Sequence, residues 1–123
     1  MKIVDVKDIE VKVDEGGAVF TGGKVYTQFV INEKHGAEKI HIGMIKFTPG
    51  ARNKFHTHNS EQILYVTEGK GIVATKDKEY VVTPGMVIFV PPGEVHWHGA
   101  TKDSSFTHLA VIGQPHEMVM VEK

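Results

Sequence analysis

Short runs of β-branched and aromatic residues recur along the chain: "KVYTQFVI", "KIHIGMIKF", "QILYVTEG", "GIVATK", "EYVVT", "MVIFVP" and "SFTHLAVIG". Many of them alternate apolar with polar side chains, the period-two pattern of strands that bury one face. The intervening segments "TPGAR", "EGKG", "TKDK", "TPGM" and "VPPGEV" are turn signals, most of them built on the Gly or Pro that tight reversals need. No stretch carries the apolar stripe of a long helix. "NEKHGAEK" is interrupted by Gly36 and reads as an exposed loop, and "VDEGGAVFTGGK" as a loop loosened by glycine. The pattern predicts an all-β barrel or sandwich closed around one core.

Length and charge narrow this further. A chain of 123 residues is expected to form a single domain over 1–123, burying roughly two-thirds of the surface its unfolded chain exposes. No repeat with a solenoid or propeller period is present. The formal charge is −1 and there is no basic block, so neither nucleic acid nor a membrane is expected as a partner, and a small-molecule substrate or ligand is. No window approaches the roughly 20 apolar residues of a membrane span, and the N-terminal segment is mixed in charge; a cytoplasmic location is expected. There are no cysteines, which leaves histidine, carboxylate and amide groups to carry any metal chemistry.

The histidines are where that chemistry gathers. His56 and His58 are two residues apart, as are His96 and His98, and each pair closely follows a Gly/Pro turn. Side chains two apart on a strand point to the same face, so each pair can address one ion. One such pair is a weak signal; two of them point to a shared site. Glu61 and Gln62 follow the first pair, but Gln62 alternates with Leu64 and Val66 while Glu61 alternates with Ile63 and Tyr65. Both faces are apolar, so periodicity leaves open which of the two turns inward.

"PGARNKFHTHNSEQILYVTEGKG", followed by "PGMVIFVPPGEVHWHGA", resembles the paired signature motifs of the cupin superfamily. The first motif runs over Gly50, His56, His58, position 62 and Gly69; the second over Gly85, Pro91, Gly93 and His96, with Ala100 where asparagine is usual. The resemblance implies the cupin double-stranded β-helix, a jelly-roll barrel, with its core at about 18–113. It also implies one divalent transition metal per chain, held by His56, His58, His96 and the residue at position 62. The distance to Gly69 selects Gln62, where the family usually has glutamate, unless a bulge near Asn59 and Ser60 swings Glu61 inward. A neutral amide would leave a bound ion its full +2 charge, making it a stronger electrophile.

The combination of "HTH", Gln62, "PPGEVHWHGA" and "FTHLAV" is similar to a narrower group over roughly residues 18–112. That group comprises the manganese-dependent bacterial hydroxynitrile lyase cupins and the cupins associated with carboxymuconolactone decarboxylases. The similarity implies manganese ahead of Fe, Ni, Zn or Cu, and a carbon–carbon lyase acting on a small hydroxy or carbonyl compound. It implies His98 and His108 as catalytic residues, Gly43, Ile45, Phe47 and Ile112 as pocket walls, and a homodimer or homotetramer. His98 shares a face with His96, and His108 with Phe106 and Ala110; the plainer roles are a partner orienting a ligand and a core histidine. Two other functions stay open, an Fe- or Cu-dependent dioxygenase-type cupin and a non-catalytic cupin that binds or senses a small molecule. His41 is expected as a strand-end residue, with a pocket-rim position as the alternative, His35 and His116 in solvent, Trp97 in packing between sheets or at a subunit contact on the opposite face, and Met44, Met86, Met118 and Met120 as core or interface filler.

Overall fold

The computed structural model describes residues 1–122; the last residue of the expected domain lies outside them. Among the described residues the strands are β1 (Lys12–Asp14), β2 (Phe20–Thr21), β3 (Val25–Ile31), β4 (Ile40–Phe47), β5 (Arg52–Asn53), β6 (His56–His58), β7 (Gln62–Gly69), β8 (Gly71–Thr75), β9 (Glu79–Val82), β10 (Val87–Val90), β11 (His96–Ala100), β12 (Phe106–Gly113) and β13 (Met118–Met120). Helical structure is limited to the 3₁₀ turns Val6–Asp8 and Glu33–His35. None of it is long and apolar enough to cross a membrane.

The strands form two antiparallel sheets. One runs β1-β3-β4-β12-β7-β10; the other runs β13-β6-β11-β5-β2, with the β8–β9 hairpin joined to it through β11. This is the expected jelly-roll barrel of a single domain. Its core cluster is Val25, Phe47, Ala51, Val66, Val82, Ala100 and Phe106, drawn from both sheets. Phe47, Leu64 and Phe106 are fully buried, each contributing roughly 2 kcal/mol of transfer free energy.

The alternation in the sequence is what closes the barrel. β7 buries Gln62, Leu64 and Val66 and turns Ile63 and Tyr65 outward; β12 buries Phe106, His108 and Ala110. β11 is buried at all five positions, because Trp97 on its outer face is covered within the chain. Arg52 sits 4.6 Å from the Trp97 ring centroid and Phe55 packs edge-on at 6.5 Å.

Gly69 ends β7 with φ 76°, and a Cβ there would collide with the Ser105 carbonyl oxygen. That left-handed turn is open to glycine at little cost. It starts the β7–β8 connection; at the other end of β7, Gln62 lies opposite Ile112 on one side and Val90 on the other.

Two peripheral expectations are revised. "NEKHGAEK" contains a capped turn: Asn32 Oδ1 accepts from the Lys34 N–H at 3.0 Å, and His35 Nδ1 accepts from the Asn32 N–H at 3.1 Å. His35 is therefore a capping residue. Of the methionines, Met86 and Met118 are exposed and Met44 and Met120 half-buried, so none belongs to the core. The C-terminal segment adds β13 to the edge of β6, pairing Met118 with His58 and Met120 with His56.

Candidate metal centre

His56 and His58 stand on β6, and His96 on β11 directly opposite His56 in the ladder. That pairing brings the two HxH segments of the sequence together. Ring centroids are 4.3 Å apart for His56–His96, 4.9 Å for His58–His96 and 5.8 Å for His56–His58. One ring nitrogen from each lies within 4.8 Å of the others, and all three residues are buried.

Each ring is oriented by the backbone two residues away. His56 Nδ1 lies 2.7 Å from the Lys54 carbonyl, His58 Nδ1 2.9 Å from that of Ser60, and His96 Nδ1 2.8 Å from that of Glu94. A carbonyl only accepts, so each Nδ1 carries the proton and each neutral ring turns a lone pair at Nε2 toward the centre. His96 Nε2 is buried and has no hydrogen-bond partner, an unmet acceptor that a cation satisfies. Burial lowers the pKa of His56 and pushes that of His96 down to about 4, so protons do not compete for these nitrogens at neutral pH.

Gln62 enters from the start of β7 and is buried, whereas Glu61 is exposed. Its Oε1 lies 3.1 Å from His58 Nε2. With the His58 proton held on Nδ1, both atoms present lone pairs, the relation of two ligands converging on one cation. Three imidazole nitrogens with an amide oxygen in reach, and no thiolate, fit a first-row divalent ion.

His98 and His108 lie deeper. Their rings meet edge to face at 5.0 Å, and the His98 ring is 5.9 Å from that of His96 and 6.2 Å from that of His56. His108 is fully buried between Phe47 (5.8 Å) and Phe106 (5.4 Å), and neither of its ring nitrogens has a partner. Desolvation pushes the His108 pKa down to about 4; it also holds His98 well below the usual range, with the neighbouring imidazoles adding to the effect.

Asn53, on β5, was not singled out in the sequence. It is buried, and it holds His98 at two atoms: Oδ1 accepts from the main-chain N–H at 2.8 Å, and Nδ2 lies 3.1 Å from the ring Nε2. The signal available was a polar amide in the buried phase set by Ala51.

Gly43, Ile45 and Ile112 line a cavity of ≈ 320 Å³, with His41, Gln114 and His116 also on its wall. Ile45, on the wall of this cavity, is the cross-strand partner of His108. Phe47, the fourth expected wall, is instead core beneath His98 and His108. His116 is not a solvated loop residue: it is half-buried, its ring 5.4 Å from that of His58. The chain after β12 folds back over β6, tied by the Glu117 N–H to Asn59 Oδ1 at 2.7 Å, and carries His116 with it. On the other flank a mostly apolar cleft of ≈ 580 Å³ between β8–β9 and β10 reaches His96 and His98.

A jelly-roll barrel with a buried three-histidine group able to hold one metal ion is the class that fold and site define. The Cupin domain family matches residues 43–112, more than half of the chain, and the protein belongs to that family. It is 43% identical over 68 residues to an (R)-mandelonitrile lyase from Granulicella tundricola, a match covering 54% of this chain and 52% of that protein. It is 27% identical over 106 residues to the auxin-binding protein T85 of Nicotiana tabacum, covering 76% and 56%. The chain thus spans about half the length of these curated relatives. Among solved structures, a cupin-like protein from Thermotoga maritima superposes with a TM-score of 0.77 at 33% identity, covering 86% of this chain and 84% of that one.

Proposed function

We propose that the protein is a metal-dependent enzyme acting on a small hydroxy or carbonyl compound, with a hydroxynitrile-lyase-like reaction. The observation that carries this is the juxtaposition of a three-histidine centre with two further buried histidines outside that group. The similarity to a mandelonitrile lyase supports it. His56, His58, His96 and Gln62 would hold one divalent ion, manganese ahead of Fe, Ni, Zn or Cu. Once bound, the ion supplies Lewis acidity that makes a substrate hydroxyl easier to deprotonate.

The rest is done by the chain. Gly43, Ile45 and Ile112 would offer a small, partly apolar substrate its wall, one strand pairing away from His108. His108 is unprotonated at neutral pH, so one ring nitrogen has a lone pair available to take the hydroxyl proton. As the carbonyl forms, the carbon–carbon bonding pair leaves with cyanide, and the proton on His108 returns to it as hydrogen cyanide. Atoms and charge balance without any redox change. The test is metal analysis of the protein as purified, followed by release of benzaldehyde from mandelonitrile. A metal-loaded protein that turns over no cyanohydrin would overturn the lyase reading.

The auxin-binding relative favours one second reading, a cupin that binds a small molecule without converting it. Saturable ligand binding without turnover across hydroxynitriles would favour this second reading. For partners, we read the chain as a homodimer or homotetramer, on the strength of an exposed apolar row formed by Ile63, Tyr65, Val87 and Phe89.

A further inference from the structure

We propose that Asn53 is a positioning residue that keeps the ring proton of His98 on Nδ1. His98 then serves the site as a hydrogen-bond donor and proton acceptance falls to His108. This rests on the reading of His98 and His108 as the proton-handling pair, but its evidence is independent of any reaction.

The first step is the orientation of the Asn53 amide. The main-chain N–H of His98 can only donate, and it meets Asn53 at 2.8 Å, so the atom it meets is the oxygen. Turning the amide over would set an NH₂ group against that N–H, two donors facing each other in a buried place. With the oxygen fixed, the amide nitrogen lies 3.1 Å from His98 Nε2. An amide nitrogen donates only, so Nε2 accepts, and a neutral imidazole that accepts at Nε2 bears its proton at Nδ1.

The backbone is shaped for this contact. Gly99 pairs with Arg52, and a Cβ on Gly99 would collide with the Ala51 carbonyl oxygen and Arg52 Cβ. Only the bare backbone lets β5 approach β11 closely enough for Asn53 to reach both the main chain and the ring of residue 98. The Ala100 N–H to Ala51 carbonyl bond, at 2.8 Å, closes the other side of the same approach.

The two inner histidines are therefore unequal. The Nε2 lone pair of His98 is occupied by Asn53, and its Nδ1–H has no partner among the described residues. Among the described residues no group donates to either nitrogen of His108, so its lone pair is free to accept. In the lyase reading, His108 takes the hydroxyl proton while His98 donates a hydrogen bond to developing negative charge and keeps its own proton.

The test is a long-range ¹H–¹⁵N spectrum of the zinc-loaded protein with labelled histidine, which reports the tautomer of each ring without any substrate. His98 is expected as the Nδ1–H form. An Nε2–H form or a doubly protonated ring at neutral pH overturns the inference. Asn53→Asp keeps an acceptor for the main-chain N–H but offers Nε2 a second acceptor, so the His98 tautomer is expected to invert. Retention of the Nδ1–H form in that variant overturns the role of Asn53. In Asn53→Asp, kcat for mandelonitrile is expected to fall about 100-fold or more with KM little changed. Absence of turnover in the wild-type protein would count against the lyase reading alone, since the tautomer is measured separately.

Discussion

Gln62 Oε1 lies 3.1 Å from His58 Nε2, both residues buried, while Glu61, one residue earlier in the chain, faces solvent. The pairing of Gln62 with Ile112 and Val90 fixes this choice, because a slip of one residue would bury the carboxylate instead. Gln62→Ala should therefore lower metal affinity by about tenfold or more, whereas Glu61→Ala should leave it within about twofold. Metal content after dialysis against graded chelator measures both. Equal losses in the two variants would contradict the assignment.

The separation of ligands from inner histidines predicts a divided mutational response. His56→Ala and His96→Ala each remove one of three converging nitrogens and should abolish stoichiometric metal binding. His108→Ala removes a ring that the fold places outside that group, so it should retain the metal and lose turnover by about 100-fold or more. Elemental analysis alongside initial rates on mandelonitrile distinguishes the two patterns. Metal retention in His96→Ala would sink the site.

How far these residues were legible in the sequence depended on whether local pattern or long-range pairing decides their place. Strand alternation and glycine-marked turns located every long strand, and the HxH pairs were readable because their spacing is itself a geometric constraint. Gln62 against Glu61 was not decided by alternation, since Ile63 and Tyr65 are as apolar as Leu64 and Val66 yet lie on the outer face. Asn53 and His116 were invisible for a related reason. One acquires its partner only when β5 meets β11, the other only when the chain after β12 folds over β6. Phe47 was expected at the pocket wall from family likeness, but its full burial beneath His98 and His108 makes it core.

His108 also makes stability depend on pH. Its pKa in the folded chain is about 4, against an ordinary value of 6.5 once unfolded. Between those values the unfolded chain binds the extra proton, so folding stability rises with pH through this window. The contribution is fully present above pH 6.5, falls as pH drops, and is gone below about 4; its full size is about 3 kcal/mol. Urea unfolding of the metal-free chain at pH 7 and pH 4.5 should show a smaller difference in His108→Leu than in the wild type. An unchanged difference would mean that His108 is protonated in the fold.

The outer faces of β7 and β10 pair Tyr65 with Val87 and Ile63 with Phe89, all four exposed, and β10 ends its sheet. An apolar row on an edge strand favours association with a second copy. Phe89→Lys should shift the sedimentation coefficient to that of a monomer while leaving metal content unchanged. A wild-type protein that already sediments as a monomer would contradict the dimer.

The C-terminal segment also bears on the centre through the Glu122 carboxylate. Glu122 accepts from Arg52 Nη2 at 2.7 Å and from the Phe55 N–H at 2.9 Å, just before the strand that carries His56 and His58. These hydrogen bonds hold its pKa below the usual carboxylate range, the one from the Phe55 N–H contributing most. The ion pair is partly exposed, so most of its value is positional: it anchors β13, whose pairing with β6 covers the edge behind both ligands. Glu122→Gln keeps an acceptor and should cost less than about 1 kcal/mol, while Glu122→Ala, losing both bonds, should cost about 1–2 kcal/mol. If anchoring matters to the ligands, Glu122→Ala should also release metal faster, by several-fold, as the edge of β6 frays. Thermal unfolding and chelator-driven release rates read the two effects separately, and a faster release in Glu122→Gln equal to that in Glu122→Ala would assign the effect to charge instead of to the strand.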